Sequence, residues 1–219
     1  AVLQEILEHF ANGQFKPLPR RVFPLTQATE AFRFMQQAKH VGKIVMVSPS
    51  RSGQADAELL RTDGSYLITG GFGGLGLKVA QWLVDRGARH LVLVGRQPPN
   101  EAARTCIQAL EEKGVEIVAA SADVADQEQL KGVLARLDSR YPLFGVIHAA
   151  AVLDDGGLSS QTWERYERVL GPKILGAWNL HVLTQDSPLD FFVLFSSIAS
   201  LLGSKGQSNY AAGNAFLDA

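Results

Sequence analysis

From residue 64 onward, short apolar runs alternate with segments whose apolar residues recur at helical spacing, as in 75–87 and 126–138. The predicted buried face of the first of these helices consists of Leu75, Val79, Trp82 and Leu83. Strand–helix alternation with fully apolar strands is typical of a parallel sheet covered by helices on both faces. The apolar runs that predict strands are 65–69, 90–95, 115–120, 143–148 and 189–195. We therefore predict an α/β fold with a Rossmann-like, doubly wound parallel sheet.

The first 48 residues contain few elements and no glycine-rich loop. The predicted elements are helices at about 2–11 and 26–38, the second with Thr26 as its N-cap, and strands at 21–23 and 43–47. Ser, Gly and Asp dominate the next stretch, which predicts a linker at 49–63. So small an N-terminal piece would be marginally stable alone, and we expect it to belong to a larger α/β domain that begins before residue 1. The predicted domains are therefore 1–48 and 64–219.

Composition excludes several classes of protein. The 219 residues are 46% hydrophobic and 20% charged with a net charge of −1, so neither a nucleic-acid-binding surface nor a polybasic membrane surface is expected. The single cysteine, Cys106, excludes an internal disulfide, and no Cys/His cluster has the spacing of metal ligands. No signal peptide and no apolar run of about 20 residues is present. We expect a soluble, cytoplasmic protein without a metal.

The segment TGGFGGLG (69–76) follows the first strand of the sheet directly and opens the first helix. Two glycine triplets fit a dinucleotide-binding loop: positions 70, 73 and 76, or positions 70, 74 and 76. Either triplet lets the backbone turn tightly and approach a pyrophosphate at the positive end of the helix. A plain tight turn is the alternative, but the strand–loop–helix context favours a dinucleotide. The residues predicted to bind the cofactor here are Thr69, Gly70, Gly71, Gly73, Gly74, Leu75 and Gly76.

The end of the second strand indicates which dinucleotide binds. An NAD-binding unit usually has Asp or Glu there to hold the ribose 2′-hydroxyl, whereas this chain has Gly95 and Arg96. A guanidinium can bind a 2′-phosphate through charge-assisted hydrogen bonds, so Arg96 favours NADPH over NADH. A solvated loop arginine is the alternative. Residues that end the third and fourth strands are expected to contact the adenine and the nicotinamide ribose: Asp123, Val124, His148, Ala149 and Ala150.

Three polar residues near the end of the chain suit the handling of a carbonyl oxygen. Ser197 follows an apolar run that predicts a buried strand, and chemistry in open α/β sheets lies at the carboxyl ends of strands. Tyr210 and Asn214 are four residues apart, which places both on one face of the next helix. Incidental polar residues in a strand–loop–helix segment are the alternative.

These segments together resemble the ketoreductase domain of a modular type I polyketide synthase, within the short-chain dehydrogenase/reductase superfamily. The motifs that carry the resemblance are TGGFGGLG, HAAAVLDD (148–155), PKILGAWNLH (172–181) and FSSIASLLGSKGQSNYAAGNAFLDA (195–219). Ordinary superfamily members have Tyr-x-x-x-Lys, whereas this chain has Asn214 four residues after Tyr210. Synthase ketoreductases exchange these two positions, and Lys173 lies where their lysine is found.

The resemblance implies roles for four catalytic residues in the NADPH-dependent reduction of a β-keto group. Tyr210 is expected to protonate the ketone oxygen, and Ser197, rather than Ser196, to hydrogen-bond the same oxygen. Lys173 is expected to hold the nicotinamide ribose and to favour proton transfer from the tyrosine, because a nearby ammonium favours the tyrosinate. Asn214 is expected to position a water in the proton relay. From the residues alone, a solvated surface charge is the more usual interpretation of a helix lysine such as Lys173.

Stereochemistry is also implied by the resemblance. Leu153, Asp154 and Asp155 match the LDD motif of B-type ketoreductases, which form the R (D) β-hydroxy product, and Gln207 is grouped with them as a stereocontrol residue. Leu202 stands where A-type enzymes tend to have tryptophan. Ala212 indicates the non-epimerising subtype, because epimerising B-type enzymes tend to have proline there. An acidic turn without a stereochemical role is the alternative.

The N-terminal segments KPLPRRVFPL and AFRFMQQAKHVGKIV resemble the C-terminal end of an enoylreductase domain of such synthases. The expected partners are a carrier protein that bears the phosphopantetheine-linked acyl chain and the neighbouring enoylreductase and dehydratase domains. By the same resemblance, the ketoreductase is expected to be incomplete at its C-terminus. A non-catalytic NADPH-binding or scaffolding domain is the alternative, and a sugar-nucleotide epimerase or alcohol dehydrogenase is disfavoured because Asn214 replaces the usual lysine.

Overall fold

The computed structural model describes residues 8–16, 18–38, 41–47 and 60–219. The chain divides into two compact units, Ala1–Ala57 and Glu58–Ala219. Most of the predicted linker lies outside the described residues, as does the start of the predicted first helix, of which residues 8–11 are helical. No helix in these described ranges is long and apolar enough to cross a membrane.

The small unit contains a parallel pair of strands, β1 (Arg20–Pro24) and β2 (Lys43–Val47), and the helix α1 (Ala28–Gln36). Among the described residues of this unit, Phe23 and Ala31 are the buried apolar ones. The prediction of Thr26 as the N-cap of α1 is wrong: a 3₁₀ turn at Leu25–Gln27 precedes the helix, and Gln27 is the N-cap.

The large unit is built on a five-stranded sheet in which every neighbouring pair of strands is parallel. Its strands are β3 (Ser65–Thr69), β4 (His90–Gly95), β5 (Glu116–Ser121), β6 (Leu143–His148) and β7 (Phe191–Leu194). The spatial order is β5-β4-β3-β6-β7, so the direction of winding reverses between β3 and β6. A crevice at the carboxyl ends of these two strands is where open α/β sheets bind ligands.

Helices cover both faces of this sheet. They are α2 (Gly74–Asp85), α3 (Glu101–Glu111), α4 (Gln127–Leu134), α5 (Trp163–Leu170), α6 (Gly176–Thr184), α7 (Ala199–Leu202) and α8 (Ser208–Asp218). A π-helical segment, Gly171–Leu175, joins α5 to α6. α4 begins after Asp126, whose carboxylate accepts hydrogen bonds from the backbone N–H groups of Glu128 and Gln129.

Alternate residues of β3 enter two separate cores. Ile68 packs with Leu83 and Ile107 of α2 and α3, while Leu67 packs with Leu130 and Leu180 of α4 and α6. Because successive strand residues point to opposite faces, these are the two sides of one doubly wound sheet. The predicted Rossmann-like fold is therefore confirmed.

The predicted buried face of α2 is partly wrong. Leu75 and Trp82 are 51% and 44% exposed, whereas Gly76, Ala80 and Leu83 are buried. The reason lies at the start of the helix, where a Cβ on Gly76 would be only 2.3 Å from the carbonyl oxygen of Gly70. This close backbone approach places small residues, and not the larger Leu75 and Trp82, toward the sheet.

Candidate active site

The loop between β3 and α2 contains two glycines that the fold itself requires. Gly70 has a φ of +66°, and a Cβ there would lie 2.7 Å from the carbonyl oxygen of Ala149. A Cβ on Gly76 would meet the Gly70 oxygen, as described above. Both predicted glycine triplets contain Gly70 and Gly76. In either triplet, the lack of room for a Cβ explains why these two positions are glycine.

The next glycines of the loop have a different setting. A Cβ on Gly74 would meet nothing within 4 Å, and one on Gly73 would meet only the Gly70 oxygen, at 3.3 Å. Gly73 is the N-cap of α2 and offers no side-chain oxygen to the first helical N–H groups. Unpaired N–H groups and the helix dipole make this end attractive to an anion. Gly71 closes the loop onto the sheet by donating a hydrogen bond to Val94 (2.9 Å), and Leu75 is exposed beside it.

Four strand ends meet in one groove at the switch point of the sheet. Five of the predicted cofactor-binding residues line it: Gly70, Arg96, Asp123, Val124 and Ala150. Arg96 is exposed at the groove and forms no ion pair with any other residue in the described part of the chain. The Asp123 carboxylate accepts a hydrogen bond from the backbone N–H of Ala125 (3.0 Å), which fixes its orientation.

Thr69 and His148 are fully buried and are not among the residues that line this groove. His148 Nδ1 lies 2.6 Å from Thr69 Oγ1, and Nε2 lies 2.8 Å from the carbonyl oxygen of Pro172. A carbonyl can only accept, so Nε2 carries the proton and Nδ1 accepts from the Thr69 hydroxyl. Burial lowers the pKa of His148 to about 4, so the imidazole is neutral at physiological pH. His148 thus ties β6 to the π-helical segment.

That segment carries Lys173 into the interior of the unit. Lys173 is 2% exposed and donates a hydrogen bond from Nζ to the carbonyl oxygen of Phe195 (2.7 Å). Its Nζ lies 5.5 Å from the centre of the Tyr210 ring. Gly213 permits this packing, because a Cβ there would be 3.1 Å from Lys173 Cβ. Burial lowers the pKa of Lys173 to about 8, and the negative charge of Asp218 opposes that effect.

The side chain of Asn214 is buried on α8, the helix that also carries Tyr210. Its Nδ2 donates to the carbonyl oxygen of Tyr210 (2.8 Å), while Oδ1 has no hydrogen-bond partner among the described residues. Buried polar atoms normally have a partner, so an unpaired oxygen marks a place where a water or ligand donor fits.

Ser197 lies in a serine-rich turn between β7 and α7. Its Oγ accepts a hydrogen bond from the backbone N–H of Ala199 (3.2 Å), and its carbonyl oxygen accepts from Ser200 Oγ (2.8 Å). These two hydrogen bonds, both between residues of the turn, stabilise its conformation. No hydrogen bond joins Ser197 to Tyr210 in the described ranges, so the structure places the two hydroxyls on adjoining elements without linking them directly.

The loop after β6 contains the predicted stereocontrol residues. The Asp154 carboxylate accepts hydrogen bonds from Arg165 Nε (2.8 Å) and Arg168 Nη1 (2.5 Å), and these contacts hold its pKa below the usual value. Asp155 instead accepts from Gln207 Nε2 (3.0 Å), which links this loop to the turn before α8. Leu153 is 61% exposed beside them.

Two asparagines that sequence reasoning missed position the site. Asn179 on α6 donates to the carbonyl oxygens of Val124 (3.0 Å) and Ala125 (3.1 Å), and so holds the loop that carries Asp123. Asn209, just before Tyr210, donates to the carbonyl oxygen of Asp154 (2.9 Å). For Asn179, the available signal was an amide side chain inside a largely apolar helix.

Comparison with known proteins gives consistent matches. A family model described as the KR domain matches residues 64–219, and one described as a zinc-binding dehydrogenase matches residues 1–46. The chain is 44% identical over its whole length to the spectinabilin polyketide synthase system protein NorB of Streptomyces orinoci. It is 46% identical, also over its whole length, to the polyketide synthase GfsB of Streptomyces halstedii. It spans 10% and 4% of the lengths of these two relatives.

Solved structures agree with the sequence relatives. A structure of A-type ketoreductases from a modular polyketide synthase is 44% identical, with a TM-score of 0.68 over 71% of this chain and 33% of the other. An N-terminal ketoreductase from the macrolactin assembly line is 35% identical, with a TM-score of 0.69 over 73% of this chain and 33% of the other.

Proposed function

The chain belongs to the family of polyketide synthase ketoreductase (KR) domains, and on that premise we propose that it reduces the β-keto group of a carrier-protein-bound acyl thioester with NADPH. The observation that carries this proposal is the placement of a buried lysine, Lys173, 5.5 Å from the ring of Tyr210 in a chain that has Asn214 at the usual lysine position. Such a fold accommodates a nicotinamide dinucleotide at its switch point.

Three features of the loop and the groove support NADPH as the proposed cofactor. Open space at Gly74 lets the backbone approach a pyrophosphate at the start of α2. Arg96, which forms no ion pair with another described residue, is available for the 2′-phosphate. Asp123 and Val124 line the part of the groove assigned to the adenine, and Ala150 the part assigned to the nicotinamide ribose.

NADPH supplies the hydride, and the protein's own side chains handle the oxygen and the proton. Ser197 hydrogen-bonds the substrate carbonyl oxygen, and Tyr210 gives it a proton. The Lys173 ammonium favours the departure of that proton, because positive charge near a phenol stabilises its anion. Lys173 also holds the nicotinamide ribose. The unpaired Oδ1 of Asn214 accepts from the water that replenishes the proton.

We propose the R (D) β-hydroxy configuration for the product, as in B-type ketoreductases, without epimerisation. The support is the LDD sequence at 153–155, the hydrogen bond between Asp155 and Gln207, and Leu202 in place of tryptophan. Asp154 is held by Arg165 and Arg168, so its part is to fix the loop on which Leu153 and Asp155 lie. The chain is 44% identical to a structure of A-type ketoreductases, and the proposal rests on the residues at these positions and not on overall similarity.

Residues 1–46 match a zinc-binding dehydrogenase model, which is consistent with the end of an enoylreductase domain. We therefore propose the domain assignment 1–48 and 64–219 with a linker at 49–63. We also propose that the chain works within a multidomain cytoplasmic synthase. Its substrate is then delivered by a carrier protein, and the neighbouring dehydratase and enoylreductase domains act on its product.

The test is NADPH absorbance with a β-ketoacyl thioester and a polypeptide that contains these residues with their flanking synthase sequence. We expect consumption that falls at least about 100-fold in Tyr210→Phe and strongly in Ser197→Ala, because general acid catalysis typically contributes that much or more. Chiral analysis of the product tests the R configuration separately. NADPH binding without consumption would favour a scaffolding domain instead.

A further inference from the structure

We propose that Asp218 is a positioning residue for the active site: its carboxylate anchors the serine turn (residues 196–200) to α8, and its negative charge favours the ammonium form of the buried Lys173. This inference rests on the proposed function, since it assigns the serine turn and Lys173 to one reaction. It adds an acidic residue to the proposed catalytic set of Lys173, Ser197, Tyr210 and Asn214.

The first observation is a set of hydrogen bonds on both sides of Ser197. Ser200 Oγ lies within hydrogen-bond distance of two acceptors, the Asp218 carboxylate and the carbonyl oxygen of Ser197 (2.8 Å), and shares its single proton between them. Ser196 Oγ donates to the carbonyl oxygen of Asn214 (3.2 Å). Ser196 and Ser200, which lie on either side of Ser197, are thus both hydrogen-bonded to the last turns of α8. Because Tyr210 is on that helix, these bonds fix the position of Ser197 relative to Tyr210.

The second observation concerns charge. Lys173 is buried, and its hydrogen bond within the described structure goes to a neutral carbonyl, that of Phe195. The acidic side chain that interacts with it electrostatically is Asp218. Other titratable groups facing Lys173 are Tyr210 on α8 and His148 on β6, and His148 is neutral. Asp218 is exposed and forms no ion pair with Lys173 in the described part of the chain, so its charge favours the Lys173 ammonium from a longer range.

Asp218 is well suited to remain ionised in this position. Hydrogen bonds from Ser200 and then Ser196 lower the pKa of its carboxyl group, and the charge of Lys173 acts in the same direction. The same carboxylate therefore serves both the turn and the lysine. Removing its charge and removing one of its hydrogen bonds should have separable effects.

Three variants separate these effects. Asp218→Asn keeps an oxygen that accepts from Ser200 but removes the charge, so the Lys173 titration should move to lower pH by about 0.5–1 unit. Ser200→Ala keeps the charge but frees the turn, so the titration should stay while the backbone amide shifts of 196–200 change and kcat falls several-fold. Asp218→Glu restores the charge and should restore the titration. Asp186→Asn, an exposed acid-to-amide change, is the matched control.

The measurement is ¹³C NMR titration of labelled lysine in the full chain, with the Lys173 signal assigned by its loss in Lys173→Arg. Amide shifts of 196–200 are recorded on the same samples, and kcat is measured as NADPH consumption. The proposal is overturned if Asp218→Asn leaves the Lys173 midpoint as in the wild type, or if Ser200→Ala leaves the amide shifts of 196–200 unchanged. If Asp218→Asn does not fold, unchanged amide shifts in Ser200→Ala overturn it. Failure of the wild type to consume NADPH would refute the proposed function alone, because both NMR readouts are independent of turnover.

Discussion

His148 offers a prediction that follows from burial alone. The imidazole is fully buried between Thr69 and Pro172, and its pKa is lowered from 6.5 to about 4, mainly by burial. Between pH 6.5 and 4 the unfolded chain therefore binds a proton that the folded protein does not. Stability rises with pH wherever the unfolded state binds more protons, so acidification through this range should destabilise the large unit. A difference of this size corresponds to about 3 kcal/mol.

The perturbation is His148→Gln, which has no titrating group. Its amide can still donate to Pro172, but the Thr69 hydroxyl loses its acceptor, so we expect a loss of about 1–3 kcal/mol at pH 7. Between pH 6.5 and 4 the variant should lose about 3 kcal/mol less stability than the wild type. Thr69→Val is the matched control: it also breaks a buried hydrogen bond, but it keeps the imidazole and should therefore keep the wild-type pH dependence.

The assay is urea unfolding from pH 4 to 7, followed by tryptophan fluorescence. All three tryptophans lie in the large unit, so the signal reports on that unit. Equal pH dependence in the wild type and His148→Gln would refute the assignment of His148 as a buried neutral group. So would loss of the pH dependence in Thr69→Val.

Three further predictions concern the cofactor and the proton. Because the pKa of Lys173 is lowered to about 8, kcat/KM should fall about 30-fold from pH 7 to 9.5. Lys173→Arg stays charged over this range and should therefore lose the alkaline decline. Identical pH profiles of kcat/KM in the wild type and Lys173→Arg would contradict the role of Lys173. Arg96→Ser should weaken NADPH binding at least about 10-fold and leave NADH binding nearly unchanged, as measured by fluorescence titration; equal losses would argue against 2′-phosphate recognition. Gly76→Ala should lower the unfolding free energy by about 1–3 kcal/mol, because its Cβ would meet the Gly70 backbone. Gly74→Ala should fold normally but bind NADPH weakly. A destabilised Gly74→Ala together with a stable Gly76→Ala would be inconsistent with the loop geometry.

The central strands β3, β4 and β6 could be predicted from the sequence because strands buried on both faces are apolar along almost their whole length. The apolar face of α2 could be predicted only in part. Helical spacing identified Leu83 correctly, but the close approach at Gly76 depends on the Gly70 backbone, which spacing does not report.

The candidate site could likewise be predicted only in part from the sequence. The glycine loop is local in sequence, and its motif was recognisable. Lys173 and Tyr210 are far apart along the chain, so no spacing rule predicts their contact, and only the family resemblance placed them together. The mutual hydrogen bond of His148 and Thr69 was missed because a polar residue at a strand end gives the same pattern whether it faces a ligand or the core.

The most direct test of the account is NADPH consumption by Tyr210→Phe in the presence of a β-ketoacyl thioester. Tyr210 lies beside the buried ammonium of Lys173, and loss of its hydroxyl removes the proposed proton donor while leaving the groove intact. We predict NADPH binding equal to that of the wild type and turnover reduced at least about 100-fold. Wild-type turnover in Tyr210→Phe would contradict the central claim.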